Sequence, residues 1–153
     1  MSQIDRSDPV ILGHVLAEHR ELFAQTMAVR SALCATHTPT HDDVAAILTA
    51  LRSLREHLRS HFEQEECGGF LEESIARMPR LAQAATAILG QHPGLLAELD
   101  RLIDRLATGE VSAAAWRRAG HDFEAFAANM SAHERSENAV VQEGYNEDLG
   151  LLD

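Results

Sequence analysis

Between residues 44 and 65 the chain repeats apolar side chains in steps of three and four, Val44, Ile47, Leu51, Leu54 and Leu58, and the same steps then land on His61 and Glu65. Residues at this period share one face of an α-helix, and such a face has to be buried against something. Two later stretches do the same. One runs Leu81, Ala85, Ile88, His92, Leu95, Leu99, Leu102, Leu106, and the other Trp116, Ala119, Phe123, Phe126, Met130, His133, Glu137, Val140. A first, looser stripe reads Leu12, Leu16, His19, Phe23, Met27. Four stripes joined by short polar tracts predict an all-α, antiparallel up-down-up-down four-helix bundle. Aromatic residues are only 5% of the chain, which further disfavours a sheet.

The punctuation agrees with four segments. Asp8 and Pro9 form a start signal for a first helix reaching about Leu33. The polar tract THTPTHDD follows, and Thr40 with Asp43 resembles a capping box opening the second helix. Gly68 and Gly69 predict a kink in that helix, with the pattern resuming through FLEESIARM to Pro79. Pro93 removes an amide donor inside the third segment, so it either kinks that helix at His92 or starts a new one. ATGEVSA makes the next turn, and the tail EGYNEDLGLLD is free to fold back over the bundle. The 153 residues make one domain, 1–153.

A formal charge of −11 argues against nucleic acid or an anionic membrane as partner. No run approaches the roughly 20 apolar residues of a membrane span, and MSQIDRSDPV lacks the pattern of a secretory signal. With only two cysteines, a reducing, cytoplasmic location is the expectation. Cys34 closes the first helix and Cys67 lies toward the far end of the second, so the topology keeps them beyond the ~7 Å Cα separation a disulfide tolerates.

Each stripe carries one histidine where an apolar residue is expected, and two carry a glutamate one turn later. A carboxylate taken out of water costs several kcal/mol unless it is paired or bound to metal. Solvated residues, a metal-free polar layer and a metal site are the three ways out. Heights along the bundle bear on the choice. His19 lies about 14 residues before the end of its helix, and His61 about 19 after the start of the next. His92 lies about 15 before its helix ends, and His133 about 21 after its own begins. At ~1.5 Å per residue these levels agree within roughly 10 Å, so the four histidines can share a layer. The i, i+4 spacing of His61/Glu65 and His133/Glu137 puts each pair on one face. Shared evenly, each of two metals receives two imidazoles and one oxygen from each glutamate. Positions remain for an oxo or hydroxo bridge and an outside ligand, a donor set suited to non-haem iron.

The segments HVLAEHREL, LRSHFEQEE, QHPGLLAEL and MSAHERSEN resemble the four helices of the hemerythrin-like, or HHE cation-binding, domain. The resemblance covers nearly the whole chain: a lone histidine, H-x-x-x-E, a lone histidine and H-x-x-x-E, in order. It implies that His19, His61, Glu65, His92, His133 and Glu137 bind two non-haem iron ions, with Glu65 and Glu137 bridging. It also implies a small ligand such as O2 or NO, and a role in sensing or handling oxygen, nitric oxide or iron. The chain departs from the oxygen carriers of that family. Those place a second histidine one turn from the first on the third helix, where this chain has Ile88 and Leu96, and they end in H-x-x-x-x-D. A di-iron oxidase or peroxidase is the alternative among enzymes, and a metal-free helical interaction module the alternative without metal.

The other histidines fit ordinary roles. His57 sits at a boundary, one turn before His61, and is the candidate for a fifth ligand or an outer partner. His14 is expected in solvent, His37 and His41 in the polar loop, where either could fold inward as an extra ligand, and His121 beside the Phe123 stripe. Glu66 points about 100° from Glu65 and reads as its solvated neighbour. Neither the ferritin-like Glu-x-x-His nor the zincin H-E-x-x-H is present.

Overall fold

In the computed structural model the described residues are 9–35, 38–67, 71, 75–76 and 78–150, and those among them with ordered secondary structure are helical. Helix α1 spans Pro9–Ala35 and α2 spans His41–Glu66. A 3-10 turn over Pro79–Leu81 leads into α3, Ala82–Gly90. Helix α4 is His92–Thr108, and α5 is Ala113–Gly150. Since α3 and α4 are separated only by Gln91, the described residues form four rods. Asp8, His37, the Gly68–Gly69 kink and the last three residues lie outside the described set.

Local chemistry sets the boundaries. The Thr40 hydroxyl accepts from the Asp43 amide while the Asp43 carboxylate accepts from the Thr40 amide, so the expected capping box is closed in both directions. Pro93 starts a helix instead of kinking one, because at the second position of α4 its missing N–H has no intrahelical partner to lose. Gln91 keeps helical dihedrals, φ −80° and ψ −20°, so α4 follows α3 with His92 as its first residue. At the end of α4, Gly109 is needed for space: a Cβ there would lie 2.6 Å from the Arg105 carbonyl oxygen. The tail does not turn back at Glu143, because α5 continues through Gly150.

Helix α1 packs on α2 and α5, and α4 packs on the same two. On α1 and α5, Arg30 pairs with Glu124 at 2.5 Å and the buried Trp116 indole donates to the Leu33 carbonyl, whereas His19 meets Asn138. Arg55 of α2 reaches Asp100 of α4, and Arg105 of α4 reaches Asp122 of α5. These surface pairs contribute at most about 1 kcal/mol each; they mark the register more than they hold it.

Burial supplies the stability, and three of the four stripes are the buried faces expected: every residue named above for the second, third and fourth stripes is buried. The first stripe is corrected. Its buried face is Val15, His19, Leu22, Val29 and Leu33, while Leu16 is 42% and Phe23 61% exposed. Helix α1 has apolar residues on more than one face, so periodicity allowed two phases that cross at His19. The core falls into two apolar clusters. The larger includes Leu22, Leu51, Leu58, Phe62, Leu99, Phe123 and Met130, and the smaller Val15, Leu71, Leu81, Ala85, Ile88 and Val140. On α1, on the rod of α3 and α4, and on α5 the histidine lies between residues of the two.

Both cysteines are free and exposed. Two thiols per chain should therefore titrate in unfolded protein prepared without reductant, and an internal disulfide would contradict the arrangement of the rods.

Candidate metal centre

The layer between the two apolar clusters is made of His19, His61, Glu65, His92, His133 and Glu137, all buried. Each rod delivers its histidine because the adjoining apolar residues fix the helix phase: Val15 and Leu22 around His19, Leu58 and Phe62 around His61, Ile88 and Leu95 around His92, Met130 and Val140 around His133. The i, i+4 glutamates follow automatically one turn on. The imidazoles gather in two pairs, His19 with His61 at 5.2 Å between ring centroids and His92 with His133 at 5.0 Å. Phe62 stacks flat on His92, centroids 3.7 Å apart, and meets His133 edge-on, closing that side with an apolar ring.

Donor atoms of His19, His61, Glu65 and Glu137 lie within 4.8 Å of one another, and so do those of Glu65, His92 and His133. Glu65 belongs to both groups. Its Oε2 is 3.1 Å from His92 Nε2, and its Oε1 is in contact with His61 Nε2. Glu137 spans in the same manner, Oε1 at 3.2 Å from His19 Nε2 and Oε2 at 3.2 Å from His133 Nε2. The structure thus brings together all six residues picked out from the sequence.

The outward nitrogens show what the inner ones are for. His19 Nδ1 bonds Asn138 Oδ1 at 3.0 Å, and His61 Nδ1 bonds Glu18 Oε2 at 2.5 Å. His92 Nδ1 bonds Glu66 Oε1 at 2.9 Å, and His133 Nδ1 bonds Gln91 Oε1 at 2.8 Å. All four partners are acceptors, so each Nδ1 carries a proton; in the neutral ring each Nε2 then keeps a lone pair, and His19 Nε2 lies within hydrogen-bond reach of Glu137 Oε1 at 3.2 Å. Those lone pairs face carboxylate oxygens, acceptor against acceptor. Accordingly the Nε2 atoms of His61, His92 and His133, both Glu65 oxygens and Glu137 Oε2 are buried without a hydrogen-bond partner. Positive charge among them relieves that arrangement, either a metal ion or protons on the Nε2 atoms, and the donor set suits a metal ion.

Without a metal, protons fill the role. Burial works against a charged His61, yet the Glu65 carboxylate against its Nε2, with Glu18 and Glu137, raises it to about 9. His19 and His92 are also raised against burial, by Glu137 and by Glu65 with Glu66 respectively. Burial would push Glu137 up, but the imidazoles of His133 and His19 against its two oxygens hold it well below the usual carboxylate range.

The hemerythrin HHE cation binding domain matches residues 10–144, a range that includes all six of these residues. The chain belongs to the hemerythrin HHE cation-binding family. No curated protein and no solved structure matches it. The matched range contains the histidine and glutamate cluster that could hold metal, and among the described residues no helix is long and apolar enough to cross a membrane.

The remaining histidines stay out of the cluster. His57 bonds Gln25 of α1 through Nδ1, with its Nε2 4.0 Å from Glu21, and is partly exposed. His14, His41 and His121 are exposed. Sequence reasoning missed Glu18, Gln91 and Asn138, and it read Glu66 as merely solvated, whereas its half-exposed carboxylate binds His92. It also missed Glu134, a half-buried neighbour raised chiefly by burial, with Glu137 adding to the rise and His19, His61 and His133 opposing it. The usable signal was an acceptor residue directly before each lone histidine, Glu18 and Gln91, and directly after each core glutamate, Glu66 and Asn138.

Proposed function

We propose that residues 1–153 form a single hemerythrin-like domain, an antiparallel up-down-up-down bundle that holds two non-haem irons. His19 and His61 serve one ion, His92 and His133 the other, and Glu65 and Glu137 bridge them. The observation that supports this best is the set of inward Nε2 lone pairs facing buried, unbonded carboxylate oxygens, while every outward Nδ1 is satisfied. A metal-free polar layer of the same residues would place a hydrogen bond at each of these inner contacts, whereas His19 Nε2 to Glu137 Oε1, at 3.2 Å, has one and the other Nε2 atoms are without a partner. Two imidazoles and two shared carboxylates leave coordination positions open on each ion.

When bound, iron supplies the capacity to take O2 or NO and to change oxidation state. The chain's own part is to orient imidazoles, exclude water and leave a position free. Phe62 and the flanking aliphatic residues keep the layer dry. Ile88 and Leu96 offer no further donor on the third rod, and His57 is engaged with Gln25, so among the described residues no fifth imidazole joins the cluster. Sensing or handling of oxygen, nitric oxide or iron in the cytoplasm is the function this supports. Protein produced with ample iron should contain about two irons per chain and, once oxidised, absorb in the near ultraviolet as a bridged ferric pair. Iron well below one per chain, with no gain on anaerobic reconstitution, would sink the proposal.

A further inference from the structure

The acceptors around the six donors follow a rule. The residue before each lone histidine receives the Nδ1–H of a paired one: Glu18, before His19, serves His61, and Gln91, before His92, serves His133. The residue after each paired glutamate receives the Nδ1–H of a lone histidine: Glu66, after Glu65, serves His92, and Asn138, after Glu137, serves His19. The same pattern therefore runs twice along the chain, once over 18–66 and once over 91–138, in outer partners as well as inner donors. The two runs differ in chemistry. The acceptors of the first are carboxylates, and those of the second are amides.

We propose that Glu18, Glu66, Gln91 and Asn138 are positioning residues for the metal pair, and that the carboxylates of Glu18 and Glu66 bias it toward its higher oxidation state. This rests on the metal reading above. An acceptor at Nδ1 fixes the tautomer and the ring plane, which is what ligation through Nε2 requires. A carboxylate acceptor does more than an amide. It draws the Nδ1 proton outward, makes Nε2 the stronger donor and brings a negative charge close to the cation. A more highly charged ion gains more from both effects. Each imidazole pair contains one carboxylate-backed ring, His61 or His92, and one amide-backed ring, His19 or His133, so the bias falls equally on both positions. The outer residues are reachable without dismantling the core: the side chain of Glu18 is 16% exposed and that of Glu66 46%.

Two measurements on the full chain separate orientation from charge: Zn2+ affinity by chelator competition, and the ferric/ferrous midpoint of iron-loaded protein by spectroelectrochemical titration. Glu18→Gln and Glu66→Gln keep an acceptor and lose the charge. They should hold Zn2+ within a few-fold of the parent while the midpoint rises, and rise further in the double variant. Glu18→Ala and Glu66→Ala lose the acceptor as well, and should weaken Zn2+ by roughly 10–100-fold. Gln91→Glu and Asn138→Asp add charge and should lower the midpoint, whereas Glu63→Gln on the exposed face should move neither reading. Midpoints unchanged in all four charge variants would overturn the redox bias, and alanine variants with parental Zn2+ affinity would overturn the positioning role. A parent that binds neither Zn2+ nor iron would overturn the metal reading itself and this proposal with it.

Discussion

Glu65→Ala should leave the chain unable to hold either metal, with content falling from about two ions per chain toward none. The reason is geometric. Glu65 is the one residue present in both groups of converging donors, with one oxygen against His61 and the other 3.1 Å from His92. Truncation removes an anionic donor from both positions at once. It also leaves two imidazoles aimed at an apolar gap that a methyl group cannot fill. Glu137→Ala should be nearly as severe, because its oxygens lie beside His19 and His133. Glu66→Ala removes only an outer partner, so it should cost about 10–100-fold in affinity, and the Glu65 loss should exceed that range. Glu63→Ala, whose exposed carboxylate pairs with Arg59, should change nothing. Elemental analysis beside thermal unfolding reads the result. A ligand at a thousand times its dissociation constant stabilises the fold by about 4 kcal/mol, so the Glu65 variant should also lose the metal-dependent rise in melting temperature. Full metal content in Glu65→Ala would show that the cluster is not the binding site.

The sequence exposed the inner layer and hid the outer one for the same physical reason. A histidine or glutamate in an apolar stripe breaks a strong pattern, and burial of the stripe then forces it inward. His61 and Glu65 could be placed from Leu54 and Leu58, and His133 and Glu137 from Phe126 and Met130, without knowledge of a neighbouring helix. Glu18, Glu66, Gln91 and Asn138 break no pattern. They flank the buried face, where polar residues are ordinary, and their role exists only because a histidine on another rod arrives beside them. Helix phase does put Glu66 about 100° from Glu65. That direction leads to His92 on α4 as well as toward solvent. Helix α1 shows the opposite limit. With Leu16 and Phe23 on one side of His19 and Val15 and Leu22 on the other, hydrophobicity alone does not choose a face. The neighbours do choose: α2 and α5 cover Val15, Leu22, Val29 and Leu33. His19 belonged to both phases, so the site survived an error in the helix that carries it.

Metal-free and metal-loaded protein should respond to alkali in opposite directions. In the metal-free chain His61 is held protonated to about 9, above its ordinary value of 6.5, and His19 and His92 shift the same way. A folded-state value above the unfolded one means that the native protein holds more protons between the two. The stabilisation is therefore complete below pH 6.5 and is lost as pH rises through about 9. For His61 alone this is on the order of 3 kcal/mol, a large part of a small domain's stability. Glu137 does not mask the effect, since its depressed value contributes stability throughout this window and loses it only in acid. With metal bound, Nε2 carries the ion in place of the proton. The native state then holds fewer protons than the unfolded chain at low pH, so stability rises with pH through 6.5 and metal uptake releases protons. Denaturant midpoints at pH 6.5, 8 and 9, with chelator and with saturating Zn2+, should therefore diverge as pH increases. His61→Asn should flatten the metal-free slope, because the proton that Glu18 and Glu65 hold in place would be gone. A metal-free protein as stable at pH 9 as at 6.5 would mean that the inner carboxylates do not keep these imidazoles charged, and that something other than a proton balances the layer when the metal is absent.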